Sequence, residues 1–359
     1  MKIAYYCSNR IPFPAPNNVV AANMEVMTNI IEGMVARGHD VTVYASKNSF
    51  FPGTKVIDLG LTAHKLDEAY EHEEWVKDVH AGYRLTYMAQ IMKESDKYDI
   101  IHLHVGRVIY GMPLVKFSKS PVVFTIHENL ESPLKTIMEQ HSDANLISIS
   151  LRQRQTMPNL NYVANIYHGV KAENFPFNAV PKDYYLFLSR LAKQKGVEFA
   201  IKAAYDAKVK LEIYGPGDEA YLRDAVYPHL SEKIKYLGLA EKHSPKWFNA
   251  FKNAKALVLP VQWEEPFGLV MIEAMACGTP IIAYNRGSVS EIVKDGETGF
   301  VCDPKDPNSL SQAIRKIEEM PQDQYLKMRQ SCRQHIENNF NFNRMIDQYE
   351  KLYLDLINN

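Results

Sequence analysis

Short apolar runs alternate along this chain with longer stretches in which apolar residues recur at helical spacing. Residues 2–7 (K-I-A-Y-Y-C) form the first run and predict a strand. A loop holding Pro12, Pro14 and Pro16 follows, and residues 20–36 then carry the period of a helix. Arg37-Gly38-His39 stops that helix, and residues 41–44 (V-T-V-Y) predict the next strand. Strand, helix, turn and strand in this order form a right-handed βαβ unit. No G-x-G-x-x-G follows the first strand, which disfavours a dinucleotide-dependent dehydrogenase. Residues 62–97 read as helical and charged, with Glu71, Glu73 and Glu74 on a solvated face. Strands follow at 100–104 and 122–127, and residues 145–150 close the first sheet.

A polar connection at 165–183, with Pro176 and Pro181, marks a domain boundary. Beyond it the pattern predicts strands at 184–188, 211–214, 234–238, 256–259 and 281–284, and a helix at 197–207. Residues 310–320 and 345–357 are amphipathic, and their apolar stripes read as packing faces. The alternation predicts an α/β fold.

The most informative stretch is residues 265–278, E-P-F-G-L-V-M-I-E-A-M-A-C-G. Pro266 and Gly268 interrupt regular structure after the preceding strand, good helix formers run from Leu269 to Ala276, and Gly278 stands where a helix ends. Glu265 therefore sits in the loop before a helix, and Glu273 about one turn inside it. The first turn of a helix offers unpaired N–H groups and a positive dipole end, which suit a phosphate at the Leu269 and Val270 amides, with Pro266, Phe267 and Gly268 of the preceding loop also expected to bind the donor. Carboxylates flanking an anion must accept from neutral hydroxyls, such as those of a ribose at Glu273 and a hexose at Glu265. The plainer alternative is that Glu273 lies on a solvated helix face.

Upstream, Arg190 and Lys195 stand on the loop after the 184–188 strand, where two cations can reach a ligand at the carboxyl end of a sheet. Arg190 suits a diphosphate by bidentate bonding and Lys195 as a point charge. Gly215-Pro216-Gly217 is a turn over which a nucleotide base can lie. His102 and His104 read as satisfied core groups at a strand end. Arg37 to His39 reads as a structural helix stop.

The run at 265–278, continued by Thr279 and Pro280, resembles the signature of retaining glycosyltransferases of family four, E-P-F-G-L-x-x-x-E-A-M-A-C-G-x-P. Other stretches carry the same resemblance. R-G-H-x-V is present at residues 37–41, and R-L-x-x-x-K-G at 190–196 with Ser189 in place of a glycine. Thr125, His127 and Glu128 match T-x-H-[DE], and G-x-x-x-E-I-V with G-x-T-G-F occupies 287–300, where Glu291 is structural. The glycine pair usual before the first helix is replaced by Asn17-Asn18-Val19-Val20-Ala21-Ala22, and His168 stands where the linker turn usually has asparagine. The resemblance implies two Rossmann-like domains facing across a cleft, the GT-B arrangement. Residues 1–167 would bind the acceptor and 168–340 the nucleotide-sugar, with residues 341–359 a helix packing back on the first domain. It further implies that His127 approaches the donor sugar, and that Arg190, Lys195, Glu265 and His127 form the catalytic set.

Composition adds bounds rather than chemistry. With 359 residues, two domains are expected. The net charge of −1 gives no electrostatic case for nucleic acid. No apolar run approaches the roughly 18 residues of a membrane span, so membrane contact is at most peripheral. The first strand begins at once, which leaves no room for a signal peptide. Cys7, Cys277, Cys302 and Cys332 lack metal-ligand or pairing spacing, consistent with reduced thiols in a cytoplasmic protein.

These features predict metal-independent, retaining transfer of a hexose from a nucleoside diphosphate sugar to an acceptor hydroxyl. The donor is expected to be a UDP-sugar first, with GDP- and ADP-sugars as alternatives, and no cofactor or metal is expected, since no Asp-x-Asp occurs. The acceptor can be a glycan, a lipid-linked sugar or a small molecule. Two rival readings are a nucleotide-sugar 2-epimerase of the same architecture and a non-catalytic nucleotide-sugar binding protein.

Overall fold

The computed structural model describes residues 1–16, 19, 21–63, 73–105, 107–130 and 132–358. Residues 17, 18 and 20 of the 17–22 loop, and the face expected for Glu71, Glu73 and Glu74, lie outside the described residues and side chains. The chain forms two compact units, Met1–Tyr167 joined by Asn343–Asn359, and His168–Phe342.

In the first unit the strands are β1 (Lys2–Tyr6), β2 (Asp40–Tyr44), β3 (Thr54–Ile57), β4 (Ile100–Leu103), β5 (Val122–Thr125), β6 (Asn145–Ser148) and β7 (Tyr162–Asn165). Helices α1 (Ala22–Ala36), α2 (Glu73–Lys93), α3 (Lys135–Gln140) and α4 (Leu151–Arg154) connect them. All seven strands are parallel in the order β3-β2-β1-β4-β5-β6-β7. Ile3, Ala4, Tyr5 and Tyr6 of β1 are all fully buried, as a central parallel strand covered on both faces requires. The strand at 145–150 does not close this sheet. β7 pairs beyond it and β3 extends the other edge. Both edges are short and only partly buried, so their apolar signal is weak.

The second unit holds β8 (Tyr185–Leu188), β9 (Leu211–Tyr214), β10 (Ile234–Tyr236), β11 (Leu257–Leu259), β12 (Ile281–Tyr284) and β13 (Gly299–Cys302). Its helices are α5 (Val197–Ala207), α6 (Glu219–Ala225), α7 (Pro245–Lys252), α8 (Leu269–Ala276), α9 (Val289–Ile292), α10 (Ser309–Glu318) and α11 (Gln322–Asn339). The parallel order is β10-β9-β8-β11-β12-β13. Chain direction across the sheet reverses between β8 and β11. In open parallel sheets, ligands bind outside the carboxyl ends of such a neighbouring pair.

The last helix, α12 (Phe342–Asn358), gives most of its length to the first unit. Its buried Tyr353 places its hydroxyl 3.0 Å from that of Tyr5 and 2.5 Å from His102 Nδ1. A Cβ at Gly33 of α1 would lie 2.5 Å from Ile346 Cγ1, so only glycine lets these helices approach so closely. The Arg37-Gly38-His39 turn does more than stop α1. Arg37 forms ion pairs with Asp347 and Glu350, and His39 Nε2 lies 2.7 Å from Glu350 Oε1. Among the described residues no helix is long and apolar enough to cross a membrane.

Candidate active site

The loops leaving β8 and β11 meet in the second unit. The β8 loop runs through Ser189 and Arg190 into a 3-10 turn at Lys193–Lys195, then into Gly196 at φ +71°. A Cβ on Gly196 would stand 2.3 Å from the carbonyl oxygen of Pro260, at the exit of β11. Glycine is therefore required where the two loops touch, and the Gln262 amide donates to the Gln194 carbonyl across the join at 2.9 Å. This contact sets Lys195 beside the β11 loop.

Lys195 Nζ donates to Glu265 Oε2 at 2.6 Å, and Trp263 Nε1 donates to the same oxygen at 2.9 Å. The Lys195 ammonium also lies 4.9 Å from the Trp263 ring centroid. Glu265 is only 7% exposed, so its charge is stabilised chiefly by these donors rather than by water. Its backbone is held equally tightly. The Ser288 amide donates to the Glu265 carbonyl at 2.9 Å, and a Cβ on Gly287 would fall 2.2 Å from that carbonyl oxygen. Gly287 in turn donates its amide to Glu264 Oε2 at 2.8 Å.

Helix α8 opens at Gly268, whose φ of +80° is a left-handed conformation, and no side chain caps it. Leu269 and Val270 in its first turn are half-buried. An uncapped first turn leaves amide donors and the positive dipole end for an anion. Phe267 contributes no side chain to such an anion. It is buried, edge-on to His168 with ring centroids 4.7 Å apart, and its carbonyl accepts from Ser288 Oγ at 2.7 Å. Pro266 is likewise buried.

Glu273 lies in the second turn of α8 and is 4% exposed, so it does not occupy a solvated helix face. Lys242, on the loop after β10, brings Nζ to 2.5 Å from its Oε1. Gly215 adopts φ +139°, and a Cβ there would collide with the Ser189 carbonyl oxygen at 1.7 Å. The turn after β9 thus presses directly onto the loop bearing Arg190, and the Leu191 amide donates to the Pro216 carbonyl at 2.7 Å. Arg190 itself is exposed and has no side-chain hydrogen bond or ion pair among the described residues.

The second unit therefore brings together Lys195, Glu265 and the start of α8, with Glu273 further along that helix. His127 belongs to the first unit. Its Nε2 lies 3.0 Å from Nδ1 of His104, and burial lowers its pKa to about 3. At neutral pH it can exchange a hydrogen bond but carries no charge. Three partners escape the motif reading. Trp263 stands two residues before Glu265, and an indole that close to a buried carboxylate was a signal available in the sequence. Lys242 comes from a distant loop that nothing local marks, and Gly287, although it opens the motif at 287–300, carries no local sign that it packs on the Glu265 backbone.

The family of glycosyl transferases group 1 matches residues 171–338, and glycosyltransferase family 4 matches residues 25–164. An uncharacterized glycosyltransferase of Methanocaldococcus jannaschii is 26% identical, over 88% of this chain and 89% of its own. A glycogen synthase of Mycobacterium tuberculosis is also 26% identical, over 89% of this chain and 88% of its own. Among solved structures, sucrose-phosphate synthase from Thermosynechococcus elongatus superposes with a TM-score of 0.78 at 19% identity, covering 99% of both chains. The Anabaena protein HepE in complex with UDP-glucose gives 0.72 at 16% identity, over 99% of this chain and 100% of its own. With its signature run folded as strand, loop and uncapped helix, and both units matched, the chain belongs to the family-four glycosyltransferases and has the GT-B fold.

Proposed function

We propose that this glycosyltransferase moves a hexose from a nucleoside diphosphate sugar to an acceptor hydroxyl, with retention of configuration and without a metal ion. The observation that carries the reading is Lys195 held against Glu265 at 2.6 Å, between the carboxyl ends of β8 and β11 and the uncapped start of α8. A diphosphate at the helix start meets the Leu269 and Val270 amides, with Lys195 and Arg190 as its cations. Charge that builds on it as the glycosidic bond breaks is stabilised by groups already in place. Glu273 accepts from the ribose and Glu265 from a hexose hydroxyl. That Anabaena HepE was solved with UDP-glucose supports a uridine diphosphate sugar as the first donor to try. Acceptor binding we assign to the first unit.

For retention we favour a front-face reaction. The bond from the anomeric carbon to the diphosphate oxygen breaks, the acceptor oxygen bonds to the same face, and its proton passes to the departing diphosphate. All four cysteines are free and buried, which fits a reducing, cytoplasmic compartment. Thermal shift against uridine, guanosine and adenosine diphosphates should single out one base, because a ligand binding only the folded state raises its stability. Transfer from the matching donor should persist in excess chelator. Activity that vanishes with chelator and returns with manganese or magnesium overturns the metal-free account, and a covalent hexosyl adduct in intact mass spectra after incubation with donor alone overturns the front-face one.

A further inference from the structure

Glu265 is held by two donors that differ in kind. Lys195 is a cation carried on the turn after β8, whereas Trp263 is a neutral N–H two residues before Glu265 on its own loop. Both donate to Oε2, and Oε1 has no hydrogen-bond partner among the described residues. The indole ring also lies beneath the Lys195 ammonium at 4.9 Å. One residue thus touches both members of the ion pair, the carboxylate through its N–H and the ammonium through its π-face.

We infer that Trp263 is a positioning residue that keeps Glu265 oriented while Lys195 changes partner from the carboxylate to the donor diphosphate. The inference rests on the donor reading above. An ammonium cannot fully neutralise both a carboxylate and a diphosphate, and the dianionic group is the stronger claimant. When Lys195 turns to the phosphate, a nearly buried carboxylate loses its cation and is free to rotate unless a second donor holds it. Trp263 Nε1 holds Oε2, which leaves Oε1 aimed for a sugar hydroxyl. The indole face supplies the lysine with a resting place on either side of the exchange.

Trp263→Phe tests this, because it keeps an aromatic face and removes the N–H. With the donor identified by the nucleotide screen, the variant should lose about 10-fold in kcat, with donor KM and the calorimetric Kd for uridine diphosphate within about 3-fold of wild type. Trp263→Leu, which removes the ring as well, should lose a further several-fold and should also weaken uridine diphosphate. Wild-type indole emission should change on saturation with uridine diphosphate as the ammonium shifts over the ring, and that change should be smaller in Trp263→Phe, where only the other tryptophans, Trp247 beside Lys242 among them, can respond. Unchanged kcat in the folded Phe variant, or an emission change as large in it as in wild type, overturns the inference. Should the Phe variant not fold, the wild-type emission decides, and a wild type that binds uridine diphosphate with no indole response overturns the handover. A wild type that binds no nucleoside diphosphate overturns the donor reading itself, a separate result that calorimetry on wild type alone reveals.

Discussion

Lys242 reaches from the loop after β10 to set its ammonium 2.5 Å from Oε1 of Glu273, a carboxylate 4% exposed in the second turn of α8. The pair couples the edge of the sheet to the helix assigned to the donor. Breaking a buried pair leaves an uncompensated charge, and the partial exposure of Lys242 moderates that cost. Lys242→Met should therefore destabilise the second unit by about 1–3 kcal/mol. Lys242→Met combined with Glu273→Gln should recover part of the loss. Urea midpoints of the two single variants and the double variant form the cycle that checks this, and additive losses exclude the coupling.

Arg190 and Lys195 share a loop but differ in what else they do. Arg190 is exposed and bonds to nothing described, so Arg190→Ala should leave stability within about 0.5 kcal/mol of wild type. Its loss of a contact to developing charge should still slow transfer by roughly two orders of magnitude, about 3 kcal/mol. Lys195→Ala should slow transfer as much and also lower stability, because it strands Glu265. Donor-consumption rates and melting curves on the same preparations separate the two effects. Either variant within a few-fold of wild-type activity removes that residue from the site.

Much of this arrangement is legible in the sequence because it is local. The strand, loop and helix around Glu265 follow from Pro266, Gly268 and Gly278, whose backbone restrictions act within a few residues. Lys195 is legible for the same reason, on a short loop at a strand end. What stays hidden depends on distant backbone. Gly287 belongs to a legible motif, but nothing near it announces that the Glu265 carbonyl passes 2.2 Å from where a Cβ would sit. Helix α11 has a polar surface and hides Arg329, fully buried, whose guanidinium donates to the carbonyls of Asn178, Lys252 and Ala254 at 2.8 Å each. A lone arginine reads as surface until the fold brings three carbonyls to it.

The histidines of the first unit make its stability depend on pH. Burial lowers the pKa of His127 to about 3 and holds that of His102 well below its usual value, with His127 opposing the charge on His102 as well. In the unfolded chain both titrate near 6.5. Below that pH the unfolded state binds protons that the folded state refuses, so stability falls as pH drops, and above it these groups contribute no slope. His127 should cost about 1.4 kcal/mol per pH unit between roughly pH 6 and 4, and His102 adds a loss in the same direction. Denaturant titrations across that range should be shallower for His127→Gln. An equal slope in variant and wild type shows that His127 is not buried in its neutral form.

Glu265→Gln and Glu273→Gln should fail in different ways, because the two carboxylates are held for different tasks. Glu273 is fixed within a helix by Lys242, an arrangement suited to accepting from a ribose that changes little during reaction. Its amide keeps one acceptor, so donor binding should weaken by about 1–3 kcal/mol, with turnover at saturating donor falling less. Glu265 stands in the loop with one oxygen committed to Lys195 and Trp263, on the side assigned to the hexose. Positive charge grows on the sugar ring as the bond to diphosphate breaks, and a nearby carboxylate favours that state over the ground state. Glu265→Gln should thus lower kcat with a smaller change in donor KM, as expected when an interaction strengthens in the transition state. It should also release Lys195, so affinity for free nucleoside diphosphate should hold or rise. Donor saturation curves and calorimetry with nucleoside diphosphate measure both halves of the contrast. Equal losses of nucleotide affinity with turnover preserved in both variants would place Glu265 away from the sugar and reverse the orientation of the donor along α8.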